Sequence, residues 1–152
     1  MQKQILERPA IVPILGPISL AADNTPAALD VRTFENVQLL LGTGIQGVTF
    51  TSTDKIEWTL SHGDNSTVGE HTTVAAADVK IYDATETEIA WVTGGIVWQL
   101  NAAHAAALYR RIDYVGGKGY LSLLANFSGT HGAATPVMAF LLTSRGHFAP
   151  TF

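Results

Sequence analysis

Residues Tyr109 to Phe148 read as three strands divided by two turns, and this run limits the fold more than any other part of the chain. Tyr109-Arg110-Arg111-Ile112-Asp113-Tyr114 meets a glycine-rich turn, Val115-Gly116-Gly117-Lys118-Gly119. The chain then returns as Tyr120-Leu121-Ser122-Leu123-Leu124-Ala125-Asn126-Phe127. The spacing predicts a hairpin in which Tyr114 and Tyr120 face each other across the turn. A polar loop from Ser128 to Thr135 precedes Pro136-Val137-Met138-Ala139-Phe140-Leu141-Leu142. In that last strand Val137, Ala139 and Leu141 form one face, and Met138, Phe140 and Leu142 the other. A strand apolar on both faces is central in its sheet, or turns its outer face to another subunit.

The remainder has the same β texture. Lys55-Ile56-Glu57-Trp58-Thr59-Leu60-Ser61-His62 alternates with period two, placing Ile56, Trp58, Leu60 and His62 on one face. Gly63-Asp64-Asn65-Ser66 follows as a turn of residue types that tolerate positive φ. Asn36–Leu41, Val79–Tyr82, Glu88–Val92 and Ile96–Leu100 are further strand candidates. The alanine-rich stretch Asn101–Leu108 is the one place for a short helix, at a length marginal for helix formation. Many short strands with evenly spaced turns predict an all-β, antiparallel β-sandwich or barrel.

Residues 1–24 read as an extended N-terminal arm, and residues 25–152 as a single sandwich domain. Ile11-Val12-Pro13-Ile14-Leu15-Gly16-Pro17-Ile18 is apolar, yet its prolines forbid a central strand and break any helix. An apolar arm must lie on something, either its own domain or a partner. Proline stiffening lowers the entropy lost on docking.

A chain of 152 residues without cysteine buries enough surface to fold without metal or disulfide. It has no apolar run long enough to span a membrane, and its early prolines argue against a signal peptide. Residues 54–88 hold eight acids against Lys55 and Lys80, a balance of −6. From residue 109 onward Arg110, Arg111, Lys118 and Arg145 oppose Asp113, a balance of +3. This reads as a charge-divided body suited to docking on protein, and the acidic middle argues against nucleic acid.

Motifs that would carry chemistry are weak. Gly42-Thr43-Gly44-Ile45-Gln46-Gly47 spells a dinucleotide-binding fingerprint, but the β-branched Val48-Thr49-Phe50-Thr51 that follows is hostile to the helix such a site needs. A glycine-rich turn is the better reading. His62, Asp64, Glu70 and His71 contain adequate ligands for a divalent ion, but in no standard spacing. Asp83, Glu86 and Glu88 lie in an exposed-looking stretch, and no serine stands in a nucleophile setting. Trp58, Trp91, Trp98, Tyr109, Tyr114 and Tyr120 could form a sugar-stacking platform, although core and cross-strand packing is the simpler account. No catalytic residue, cofactor or metal site is expected.

The residues Arg111, Asp113-Tyr114, Gly116-Gly117-Lys118, Tyr120, Ser128-Gly129-Thr130, Pro136-Val137 and Ala149-Pro150 resemble a segment of small structural proteins of tailed bacteriophages. The likeness covers most of residues 36–150 and is strongest over 109–150. Gly119 departs from it, standing where a large residue, often arginine, is usual. The resemblance implies a jelly-roll-like capsid cement, or decoration, protein on the outer surface of an HK97-type shell. Its implied partners are the major capsid protein and itself, as a dimer or trimer, with no nucleic acid and no membrane. The residues expected to meet a capsid or a second copy are Ile11, Val12, Ile14, Leu15 and Ile18 of the arm. Arg110, Arg111 and Lys118 of the basic end, with Met138 and Phe140 of the last strand, complete the set. The competing expectations are a head–tail joining or tail component, and a carbohydrate-binding sandwich.

Overall fold

The computed structural model describes residues 10–90 and 93–144. Its strands are β1 (Ala10–Leu20), β2 (Leu29–Asp30), β3 (Asn36–Thr43), β4 (Lys55–Gly63), β5 (Thr72–Thr73), β6 (Val79–Asp83), β7 (Ile96–Leu100), β8 (Leu108–Tyr114), β9 (Tyr120–Ser128) and β10 (Thr135–Ser144). One sheet has the order β1-β10-β3-β8-β6; the other runs β2-β9-β4, with β5 and β7 both paired to the far edge of β4. Every pairing is antiparallel. Without β5 and β6 the orders reduce to β1-β10-β3-β8 and β2-β9-β4-β7, with the chain crossing between sheets at every connection but β4 to β7. That is the double Greek key of a jelly roll.

The core follows from strand parity. Leu39 and Leu41 of β3, Ile112 of β8, and Val137, Ala139 and Leu141 of β10 face inward from the first sheet. They meet Ile56, Trp58 and Leu60 of β4 with Leu121, Leu123 and Ala125 of β9. The alternation expected for β4 holds, and Trp58 is fully buried, its ring stacked on Trp98.

Four expectations need correction. Over Ala10–Leu20 the expected arm is the edge strand of its own sheet, paired with β10. Prolines are tolerated at an edge, where one side of the strand makes no ladder bonds. The pairing absorbs them through register shifts between Pro13 and Leu15 and between Leu15 and Ile18. Residues 1–9 lie outside the described part of the chain.

The expected hairpin of β8 and β9 is instead a crossing between sheets. β8 pairs with β3 and β6, while β9 pairs with β4 and β2. The backbone N–H groups of Val115 and Gly116 both donate to the carbonyl of Asp78, at 2.8 and 3.2 Å, turning the chain away from β8. Asn101–Leu108 is not a helix, and among the described residues helical structure is confined to the 3₁₀ turns Val68–Glu70 and Ala76–Asp78. The stretch is too short to hold helix by itself, and its backbone is tied elsewhere: the N–H of His104 donates to the side chain of Gln46 at 3.3 Å. The Glu88 strand is reduced to a single bridge with Tyr82, and Trp91 and Val92 lie outside the described residues.

Side chains complete the second sheet where β2 is too short. Asn24 accepts the N–H of Ala125 at 2.7 Å and donates to the carbonyl of Leu123 at 3.1 Å. Asp23 accepts the N–H of Phe127 at 2.6 Å. These groups stand in for a missing strand, which protects an otherwise open edge.

Candidate interaction surface

The outward faces of the two sheets differ in chemistry. On the first, cross-strand rows run Ile11–Leu142–Gln38–Asp113–Lys80 and Pro13–Phe140–Leu40–Arg111–Tyr82. A third row joins Met138, Gly42 and Tyr109. No residue of β1, β10 or β3 is charged on either face. On the second sheet the outward positions are Lys55, Glu57, Thr59 and Ser61 of β4, opposite Ser128, Asn126, Leu124 and Ser122 of β9. One surface is uncharged across three adjacent strands and, apart from Asn36 and Gln38 of β3 and Ser144 of β10, largely apolar; the other is mainly polar, with Leu124 its apolar exception.

The residues expected to bind a partner divide accordingly. Phe140 and Met138 lie on the charge-free outward face, half-buried by neighbours on the same face, with Ile11 at its rim and 67% exposed. Val12 and Ile18 are also exposed, whereas Ile14 and Leu15 pack against the core. Sequence reasoning missed Leu40 and Leu142, which extend the same surface. Strand period puts Leu142 on one face with Met138 and Phe140, whereas Leu40 stands in a run of three leucines that shows no alternation.

Next to Met138 the face dips into a groove of about 290 Å³ between Pro17, Ile18 and Tyr109, with Gly42 in its floor. A Cβ at Gly42 would lie 2.7 Å from Cε of Met138 and 3.2 Å from the Tyr109 ring. Glycine is what lets these two side chains approach over β3.

The basic residues are not presented as a free cationic end. Arg111 pairs with Glu86 and with Asp113, the latter at 3.1 Å, and its guanidinium stacks 4.3 Å from the Tyr82 ring centroid. The Lys118 ammonium sits 2.5 Å from the Asp64 carboxylate. Arg110 lies over the Trp98 ring at 5.4 Å, and burial pulls its pKa down, with Asp83 acting in the opposite direction. Glu86 and Asp64 of the middle segment therefore neutralise Arg111 and Lys118 of the C-terminal third. Folding thus ties two of the bases expected to form a basic end to middle-segment acids, while Arg145 lies outside the described residues.

The suspected chemical residues act as ties. Nε2 of His71 is 2.9 Å from the carbonyl of Asn65, which can only accept, so Nδ1 is free to accept from the Ser122 hydroxyl at 2.9 Å. His62 bonds to Tyr114. No group of histidine and acidic residues able to hold a metal occurs among the described residues. Asp83 holds the following loop by accepting from the Thr85 hydroxyl and from the N–H groups of Thr85 and Thr87, and these bonds lower its pKa. In the Gly42–Gly47 segment the N–H of Gly44 donates to the Pro136 carbonyl at 2.8 Å, and that of Gly47 to the Thr135 hydroxyl at 3.1 Å. This is a turn fastened to β10, with no helix after it.

Of the aromatic residues, Trp58, Trp98 and Tyr114 are buried, and Trp91 lies outside the described residues. Tyr120 is capped by the Arg32 guanidinium at 4.8 Å, which leaves Tyr109 as the exposed ring among those described. A single exposed ring makes no stacking platform. No known protein family, no curated protein and no solved structure matches the chain.

Proposed function

We propose that this chain is a structural virion protein, a capsid cement protein that binds the outside of a tailed-phage shell and braces neighbouring subunits against internal pressure. The observation that carries this reading is the charge-free outward face across β1, β10 and β3 on a stiff jelly-roll body. Apolar patches of this extent mark surfaces that meet protein. The resemblance of residues 109–150 to phage structural proteins supplies the class of particle. A sandwich that is not readily deformed resists load, and weak contacts repeated around a shell add up through effective concentration. The major capsid protein is then the principal partner, and the outer capsid surface the location.

The test is quantification of the chain in purified particles against the major capsid subunit. A copy number comparable to that of the shell subunit is expected. A count matching a single ring would overturn the cement reading in favour of a joining or tail component.

A further inference from the structure

We propose that the charge-free outward face of β1, β10 and β3 is an isologous dimer interface, and that its occupant is a second copy of this chain. The inference rests on reading that face as one covered by protein, and it names the protein. Phe140 is flanked on one side by Pro13 and on the other by Leu40, with Leu142 and Met138 above and below it on the same face. A two-fold axis through β10 sets this set of side chains against its own copy.

The charge pattern selects a second copy over a different protein. In an isologous contact, residues near the axis meet themselves, so every charge there opposes a like charge. β1, β10 and β3 avoid that penalty by carrying none, although the chain as a whole has a net charge of −4. A face meant for an unlike partner commonly uses complementary charge to choose partner and orientation. Along the β8 side the bordering charges, Arg111 and Asp113, are paired with each other, and exposed Glu35 borders one end of the face.

The extent also suits a dimer. Three strands about 4.8 Å apart and about eight residues long at ~3.4 Å per residue project roughly 400 Å². Exposed Tyr109 of β8 extends the patch at one corner, while Arg111 and Asp113 of that strand form its charged rim. Side-chain relief makes the accessible area larger than this projection, which places the contact between a small interface and the ~800 Å² per partner of a standard one. The groove beside Met138 gives that relief a concave element.

The cysteine-free chain permits a direct test. Light scattering of the purified protein should give twice the 16.2 kDa chain mass. Phe140→Cys should oxidise readily to a disulfide-linked dimer, while Thr59→Cys, on the outward face of the other sheet, should not. Phe140→Glu should raise the dimer dissociation constant at least about 30-fold while leaving the far-ultraviolet circular dichroism unchanged. A single-chain or three-chain mass, or equal oxidation of the two cysteine variants, would overturn the proposal. A monomer that is nonetheless abundant in particles would sink the dimer alone. A dimer missing from particles would sink the cement reading alone.

Discussion

The hydroxyl of Tyr114 lies 2.9 Å from Nδ1 of His62, joining the end of β8 in one sheet to the end of β4 in the other. The same oxygen accepts the backbone N–H of Lys118 at 3.0 Å, so its own proton is free to be donated to His62. Tyr114 thereby closes one end of the sandwich and shapes the crossing between sheets. Gly116 matches it, because a Cβ there would come within 2.6 Å of the tyrosine oxygen.

Tyr114→Phe should lower unfolding free energy by about 1–2 kcal/mol, since two bonds to a buried hydroxyl are lost. Burial raises the pKa of this phenol, against the opposing effect of the Lys118 bond. Its stabilisation is therefore fully present below the unfolded tyrosine value near 10 and is lost as pH rises through the higher folded value. Urea melts at neutral and strongly alkaline pH check this: the wild type should lose more stability than the variant on the alkaline side. Parallel losses would refute the role.

Deleting residues 1–20 should remove β1 and expose the ladder edge of β10 together with its apolar side chains. An uncovered edge of this kind pairs with other chains. The expected result is aggregation, or a clear drop in melting temperature, read by scanning calorimetry and size exclusion. A soluble product with an unchanged melt would show that β1 is an appendage.

Arg111→Ala should cost about 1 kcal/mol, the sum of two partly exposed ion pairs and one stacking contact with Tyr82. Screening should reduce the loss, so denaturant midpoints measured at low and high salt should converge for wild type and variant. A loss that persists in full at high salt would assign the effect to packing.

Gly129→Ala should destabilise by at least about 1 kcal/mol, because its φ of 83° is a left-handed conformation that alanine adopts poorly. The added Cβ would also lie 2.7 Å from the carbonyl oxygen of Thr53, a backbone atom that cannot swing aside. Equilibrium unfolding provides the measurement, and a neutral result would show that this loop shifts freely.

Alternation alone identified the inward row of β4 and the all-β class, because side chains of period two must sort between core and surface, and in β10 it separated two apolar rows without telling which faces the core. Met138 and Phe140 stood out for the same reason, being apolar on a face opposite an apolar face. Three matters were not legible in the chain: the sheet each strand joins, the place of the proline-rich segment, and the fate of the charges. Tyr109–Tyr114 and Tyr120–Phe127 look like a hairpin, since local spacing cannot tell a turn within one sheet from a crossing between two. Only long-range register, with β8 beside β3 and β9 beside β4, separates them. The pairing of Arg111 and Lys118 was hidden likewise, because Glu86 and Asp64 reach them only after the sheets have closed. The sequence by itself determined periodicity, burial preference and the lack of charge on three strands. The tertiary structure decided which strands lie side by side, and so turned three separate uncharged segments into one continuous face.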